Sequence, residues 1–282
     1  MSIHSVHTVP RWSAVLAELF RTVGIAVRRE VALLALLLAG GTLVMVFAEL
    51  RYPREHIDFV PAVAFPLILL GFLAPMGVWK GEEPSRRSYL WAMPVDRARH
   101  TLAKTVAGWA WLMVLVGIHL LWALGMAILT GGEIGVDGIG LPEGARPTGA
   151  DLHMVWWTIP AWQWLAPFTG ATITYLLGSI VVISCDHPWR WYAGIGLFIF
   201  LLGDLTQSGM VPWLESLAEG PLRVESAISG TFQTTETITT PNGKMKLPLS
   251  MPALGAWLTA MPLWLALGAA GVVAAAYRHQ ER

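Results

Sequence analysis

Residues 154–185 contain no Asp, Glu, Lys or Arg, and residues 247–277 are equally free of charge. A hydrocarbon layer about 30 Å thick is crossed by roughly 20 apolar residues in a helix. Backbone polar groups inside such a layer must pair within the segment, which favours helices. The chain is therefore expected to be an all-α integral membrane protein, a single transmembrane domain over residues 1–282. Six apolar runs are expected to span: 31–48, 59–79, 105–129, 158–184, 191–204 and 253–277. Pro61, Pro66 and Pro75 fall in the second run and are expected to kink it, because proline removes a backbone donor.

Composition agrees with this class. Hydrophobic residues make up 55% of the chain and charged residues 13%, against about 25% charged in an ordinary soluble domain. The 15 tryptophans suit membrane–water boundaries, where an apolar ring and a polar N–H are both satisfied. Trp156, Trp157, Trp162 and Trp164 read as an outer aromatic belt. A formal net charge of +0 argues against nucleic acid as a partner. The single cysteine, Cys185, excludes an intrachain disulfide and any multi-thiolate metal site. It lies beside Asp186 and His187 in a tight turn, where a structural role is expected rather than nucleophilic chemistry.

Charge asymmetry orients the spans. With the N-terminus inside, the inner segments carry Arg11, Arg21, Arg28, Arg29, Lys80, Arg86, Arg87, Arg97, Arg99, Lys104, Arg190, Arg278 and Arg282. The outer loops carry only Arg51, Arg54, Arg146, Arg223, Lys244 and Lys246. Short basic loops stay on the cytoplasmic side, so both termini are expected in the cytoplasm. Val46-Phe47-Ala48 has the small-residue look of a signal-peptidase site, but thirty residues that include an expected helix precede the first apolar run, so that run is expected to stay uncleaved. Residues 79–104 stand out on the inner side. Leu90, Trp91, Met93 and Val95 are embedded among their basic residues, a segment built to dock something as well as to remain inside.

Other segments have readable shapes. Trp12, Val15, Leu16, Leu19 and Val23 form one apolar stripe of a helix over 11–29, expected along the inner membrane surface. Outside, residues 130–153 are Gly-rich and acidic. In 205–252 a short apolar piece, SGMVPWLESL, fits a re-entrant or interfacial helix. It is followed by Thr- and Ile-rich flanks meeting at Asn242-Gly243, a hairpin signal, since both residues accept positive φ. His119 and Asp204 are the notable ionisable residues within the third and fifth spans. Counted from Thr105 and Arg190 they lie at one depth, roughly 21 Å in. Asp204 is expected to mark the break into the re-entrant piece, facing a hydrated outer vestibule shared with His119.

Six spans, an N-terminal surface helix, a basic loop after the second span and a re-entrant piece before the sixth resemble the permease subunits of ABC-2 type ABC transporters. The sequence match lies in the loop: Glu82-Glu83, then Pro94-Val95-Asp96-Arg97, then Lys104 opening the third span. The resemblance implies a coupling helix inserted into a cleft of a cytosolic ABC ATPase. Glu82, Glu83, Arg86, Arg87, Pro94 and Arg97 would lie at that interface, with Tyr89, Leu90 and Met93 as buried anchors. It also implies a second permease copy or a sister permease, a plasma-membrane location, and export of an amphiphilic or hydrophobic cargo. No G-x-x-x-x-G-K-[ST] occurs: Gly243-Lys244 is followed by Met245. ATP and Mg would thus belong to the separate ATPase, with no cofactor, metal or catalytic residue on this chain.

Two alternatives stay open. An ion-coupled secondary transporter would place its site at mid-membrane. Glu82-Glu83-Pro84-Ser85-Arg86-Arg87 also fits E-E-x-x-x-R of CAAX-processing-like membrane proteases, but their partner histidine motifs find no match at His119, His153 or His187.

Overall fold

The structure, a computed structural model, describes residues 12–51, 59–61, 65–80, 97–140, 154–207, 223–240 and 243–278. These residues are mostly helical. Helix α1 spans Trp12–Ala26 and α2 Arg28–Arg51; α3 is Phe65–Val78 and α4 Arg97–Thr130. A 3-10 turn, Ala161–Leu165, leads into α5, Ala166–Ser184. Then follow α6, Pro188–Gln207, the short α7, Val224–Ser229, and α8, Leu254–Arg278. Among the described residues, three stretches are long and apolar enough to cross a membrane: Ala98–Thr130, Ala161–Ser184 and Leu254–Arg278.

Helix α5 is the centre of the bundle, and α3, α4, α6, α7 and α8 all pack against it. Small residues make this possible, as expected where helices associate by close backbone approach instead of by escape from water. Gly71 of α3 sits against Thr174 and the Ala171 carbonyl, leaving no room for a Cβ. Gly268 of α8 would place a Cβ 2.8 Å from that of Leu176.

One end of the bundle is closed by a single apolar cluster. It gathers Val78 and Trp79 after α3, Ala103 and Ala107 early in α4, and Val182 and Ile183 late in α5. Tyr192 near the start of α6 and Val272 and Ala275 near the end of α8 join it, as do Leu19, Val23 and Val27. The helices therefore alternate in direction. The apolar stripe of α1 packs on this end: Leu19 and Val23 are buried in protein.

The β structure belongs to the opposite end. Strand β1, Val136–Gly140, pairs antiparallel with β2, Met154–Thr158, which contains Trp156 and Trp157. Phe59 joins this end: its N–H donates to Glu133 O at 2.9 Å and its C=O accepts from Gly135 N–H at 3.1 Å. Phe59–Pro61 thus lie outside any helix, so Pro61 kinks nothing. Pro66 falls in the first turn of α3, where no N–H is needed, and only Pro75 is interior. Strands β3, Thr231–Thr240, and β4, Gly243–Pro252, pair antiparallel. Thr240 faces Gly243, so the connection is residues 241–242, one position before the expected Asn242-Gly243 turn. Residues 208–222, which hold most of the proposed re-entrant piece, lie outside the described residues.

Candidate functional site

Helix α4 begins at Arg97, not near residue 105, and runs 34 residues. At 1.5 Å per residue this is about 51 Å, well beyond a bilayer core. The surplus lies at its start, where residues 97–104 extend the helix at the end of the bundle closed by the apolar cluster. The segment expected to dock, residues 82–97, thus ends at the first residue of α4. Of the proposed interface, Glu82, Glu83, Arg86, Arg87, Tyr89, Leu90, Met93 and Pro94 lie outside the described residues, and Arg97 is described only as the first residue of α4.

What the structure describes is the base from which that segment leaves. Trp79 directly follows α3 and is buried, and its N–H donates to Pro75 O at 2.9 Å. Lys104, two turns into α4, is only 5% exposed. A buried ammonium needs compensation. Part of it comes from the Trp79 ring, whose centroid lies 4.7 Å from Nζ, within cation–π range. The two ends of the segment are thus held together.

The next turn of α4 is tied to α5. Thr105 Oγ1 donates to Thr101 O at 2.9 Å, and the Tyr175 hydroxyl donates to Thr105 O at 2.9 Å. Tyr175 is fully buried, so its hydroxyl must find a partner inside the protein, and the Thr105 carbonyl supplies one. Gly108 lies against that hydroxyl and Val78, where any Cβ would collide. Tyr192 repeats the device on α6, donating to Gly178 O at 3.0 Å with its ring edge-on to Phe72 at 4.7 Å.

Helix α1 is fixed to α4 at the same end. The Trp111 indole stacks on Phe20 at 4.9 Å and 11°, and its Nε1–H donates to Phe20 O at 2.8 Å. Gly24 lies beneath the ring, where a Cβ would come within 2.7 Å. Beside this base, burial, and next the negative charge of Asp186, hold the Cys185 thiol above its ordinary range. A protonated thiol is a poor nucleophile.

Of the two proposed vestibule residues, only the side chain of His119 is among those described. His119 is half-buried on α4, its ring 5.9 Å from that of Trp122. Trp122 Nε1–H donates to Thr42 Oγ1 of α2 at 2.8 Å. Asp204 lies inside α6, which continues to Gln207, so the helix does not break there. Its side chain is outside the described residues.

Sequence reasoning singled out Lys104 but missed Trp79, Thr105, Gly108, Trp111 and Tyr175. A buried-run tyrosine and an apolar-run glycine were the available signals, since each demands a particular neighbour in lipid. No protein-family model, curated protein or solved structure matches the chain.

Proposed function

We propose that this chain is the six-span permease subunit of an ATP-driven exporter of the ABC-2 type, with both termini in the cytoplasm. On this reading residues 82–97 dock into a separate cytosolic ATPase, which supplies all nucleotide chemistry, and a second permease completes the transporter. The cargo is amphiphilic or hydrophobic. The observation that carries the reading is the Trp79–Lys104 closure. A segment carrying the apolar residues Leu90 and Met93 joins two buried positions packed on each other, next to the cluster in which these helix ends meet. Force applied to the segment would pass into α3 and α4 together, as coupling to nucleotide-driven closure requires.

Purification of the whole chain in mild detergent, with identification of stoichiometric partners, tests the proposal. A co-purifying subunit with a nucleotide-binding P-loop, lost on Leu90→Asp/Met93→Asp, is the expected result. Transport by the chain alone that follows a proton or sodium gradient would replace it with the ion-coupled carrier.

A further inference from the structure

Among the described side chains, six cations are exposed at the inner end: Arg21, Arg28, Arg29, Lys80, Arg190 and Arg278. Each lies within three residues of a member of the one cluster that closes this end: Val23, Val27, Trp79, Tyr192 or Ala275. The exposed carboxylates described there are Glu18 and Asp186. At the opposite end the exposed charges described are Glu133, Arg223 and Glu225, so the excess of cations is confined to one side.

Large exposed aromatics share that level. Trp189 is 68% exposed, Trp191 59% and Tyr277 57%. Trp189 and Trp191 flank Arg190, and Tyr277 precedes Arg278. A ring that is apolar with one polar atom, next to a guanidinium, matches the boundary between acyl chains and headgroups.

We infer that this collar binds anionic phospholipid headgroups, the cations pairing with lipid phosphate while the rings enter the layer beneath. Cation clusters at a membrane surface attract acidic lipid in this way. A single protein partner fits the geometry poorly. Residues two apart on a helix point about 200° from each other, so Trp189 and Trp191 face opposite sides of α6. A lipid annulus covers both sides, whereas one docked protein covers one. Membrane lipid was expected as a partner from composition; the collar names its charge class and its residues. The inference rests on the membrane placement alone and is independent of the ATPase assignment.

The full chain, reconstituted without partners into vesicles, tests this with spin-labelled phosphatidylglycerol and spin-labelled phosphatidylcholine as probes. Phosphatidylglycerol should associate on the order of three- to fivefold more strongly at low salt, the advantage shrinking severalfold at 0.5 M salt, about a 4 Å screening length. Arg28→Gln/Arg29→Gln/Arg190→Gln/Arg278→Gln should bring the ratio close to one, and the Arg→Lys counterpart should retain it. Arg190→Gln/Arg278→Gln, which alters fewer groups, should roughly halve it and covers failure of the larger variant to fold. Arg223→Gln, at the other end, should leave it unchanged. Equal association of the two probes in the unaltered chain would overturn the inference. So would a preference that the inner-end variants leave intact, or one abolished by millimolar inorganic phosphate, which would indicate a free-phosphate site instead.

Discussion

Lys104 of α4 places its ammonium over the ring of Trp79, 4.7 Å from the centroid, and both residues are almost wholly buried. The contact joins positions that flank the whole 81–96 segment. Its value lies less in its own energy, about 1–2 kcal/mol for a desolvated cation–π pair, than in what it fixes. It fixes the end of α3 and the start of α4 relative to each other.

Trp79→Ala should destabilise the inner end by about 3 kcal/mol, the usual cost of removing a large buried aromatic. Trp79→Phe, which keeps a ring face for Lys104, should cost about 1 kcal/mol. Denaturant unfolding in detergent micelles, followed by circular dichroism, measures both. Equal losses in the two variants would show that the ring face does not hold Lys104.

The docking proposal has a sharper consequence. Leu90→Asp/Met93→Asp should leave the helical content and thermal midpoint of the isolated permease unchanged. It should nevertheless cut substrate-stimulated ATP hydrolysis in the reconstituted complex at least tenfold, because interfaces draw most of their energy from a few buried anchors. Full stimulation in that double variant would remove residues 82–97 from the interface.

How far these features could be read in advance depended on whether their causes were local. The stripe Leu19–Val23 was visible because helical periodicity lies within the chain itself, and both residues are buried. Its acceptor, the Trp111–Phe20–Gly24 stack, was not visible, because nothing in α1 names a partner some 90 positions away. Arg99 and Lys104 made the start of α4 look like a loop. Only the burial of Lys104 on Trp79 explains how a helix carries that charge inward. In β1, which is Gly-rich and separated from β2 by residues 141–153, no alternation announced a strand. Phe59–Pro61 looked like span because they are apolar, yet Phe59 is bonded to Glu133 and Gly135 beyond the end of α4.

Fixation of α1 predicts a steric phenotype. Gly24→Leu would drive its side chain into the Trp111 ring, which cannot retreat without breaking its bond to Phe20 O. Overpacking of this kind costs about 1–3 kcal/mol. Helix α1 should then come off the bundle while the spans stay folded, and limited proteolysis should cut near Arg21 and Arg28 in the variant before it does so in the parent. Identical cleavage patterns would show that α1 tolerates the side chain in place.

Cys185 offers a chemical test of the turn between α5 and α6. Burial and the adjacent Asp186 raise its thiol above the ordinary range. Deprotonation in the folded chain is therefore displaced to higher pH than in an unfolded one. Between the two values the folded state holds the proton that the unfolded state releases, so this group's contribution to stability is full below the unfolded value and declines as pH rises through the window. Reactivity moves the opposite way, because the thiolate is the nucleophile. Iodoacetamide labelling at pH 8 should be severalfold slower than for a free cysteine, and should accelerate on further pH increase. Asp186→Asn removes the lesser cause and leaves the burial, so it should raise the rate at pH 8 only in part. A rate equal to that of free cysteine in the unaltered chain would mean that the turn opens to water and that Cys185 is not held as the geometry indicates.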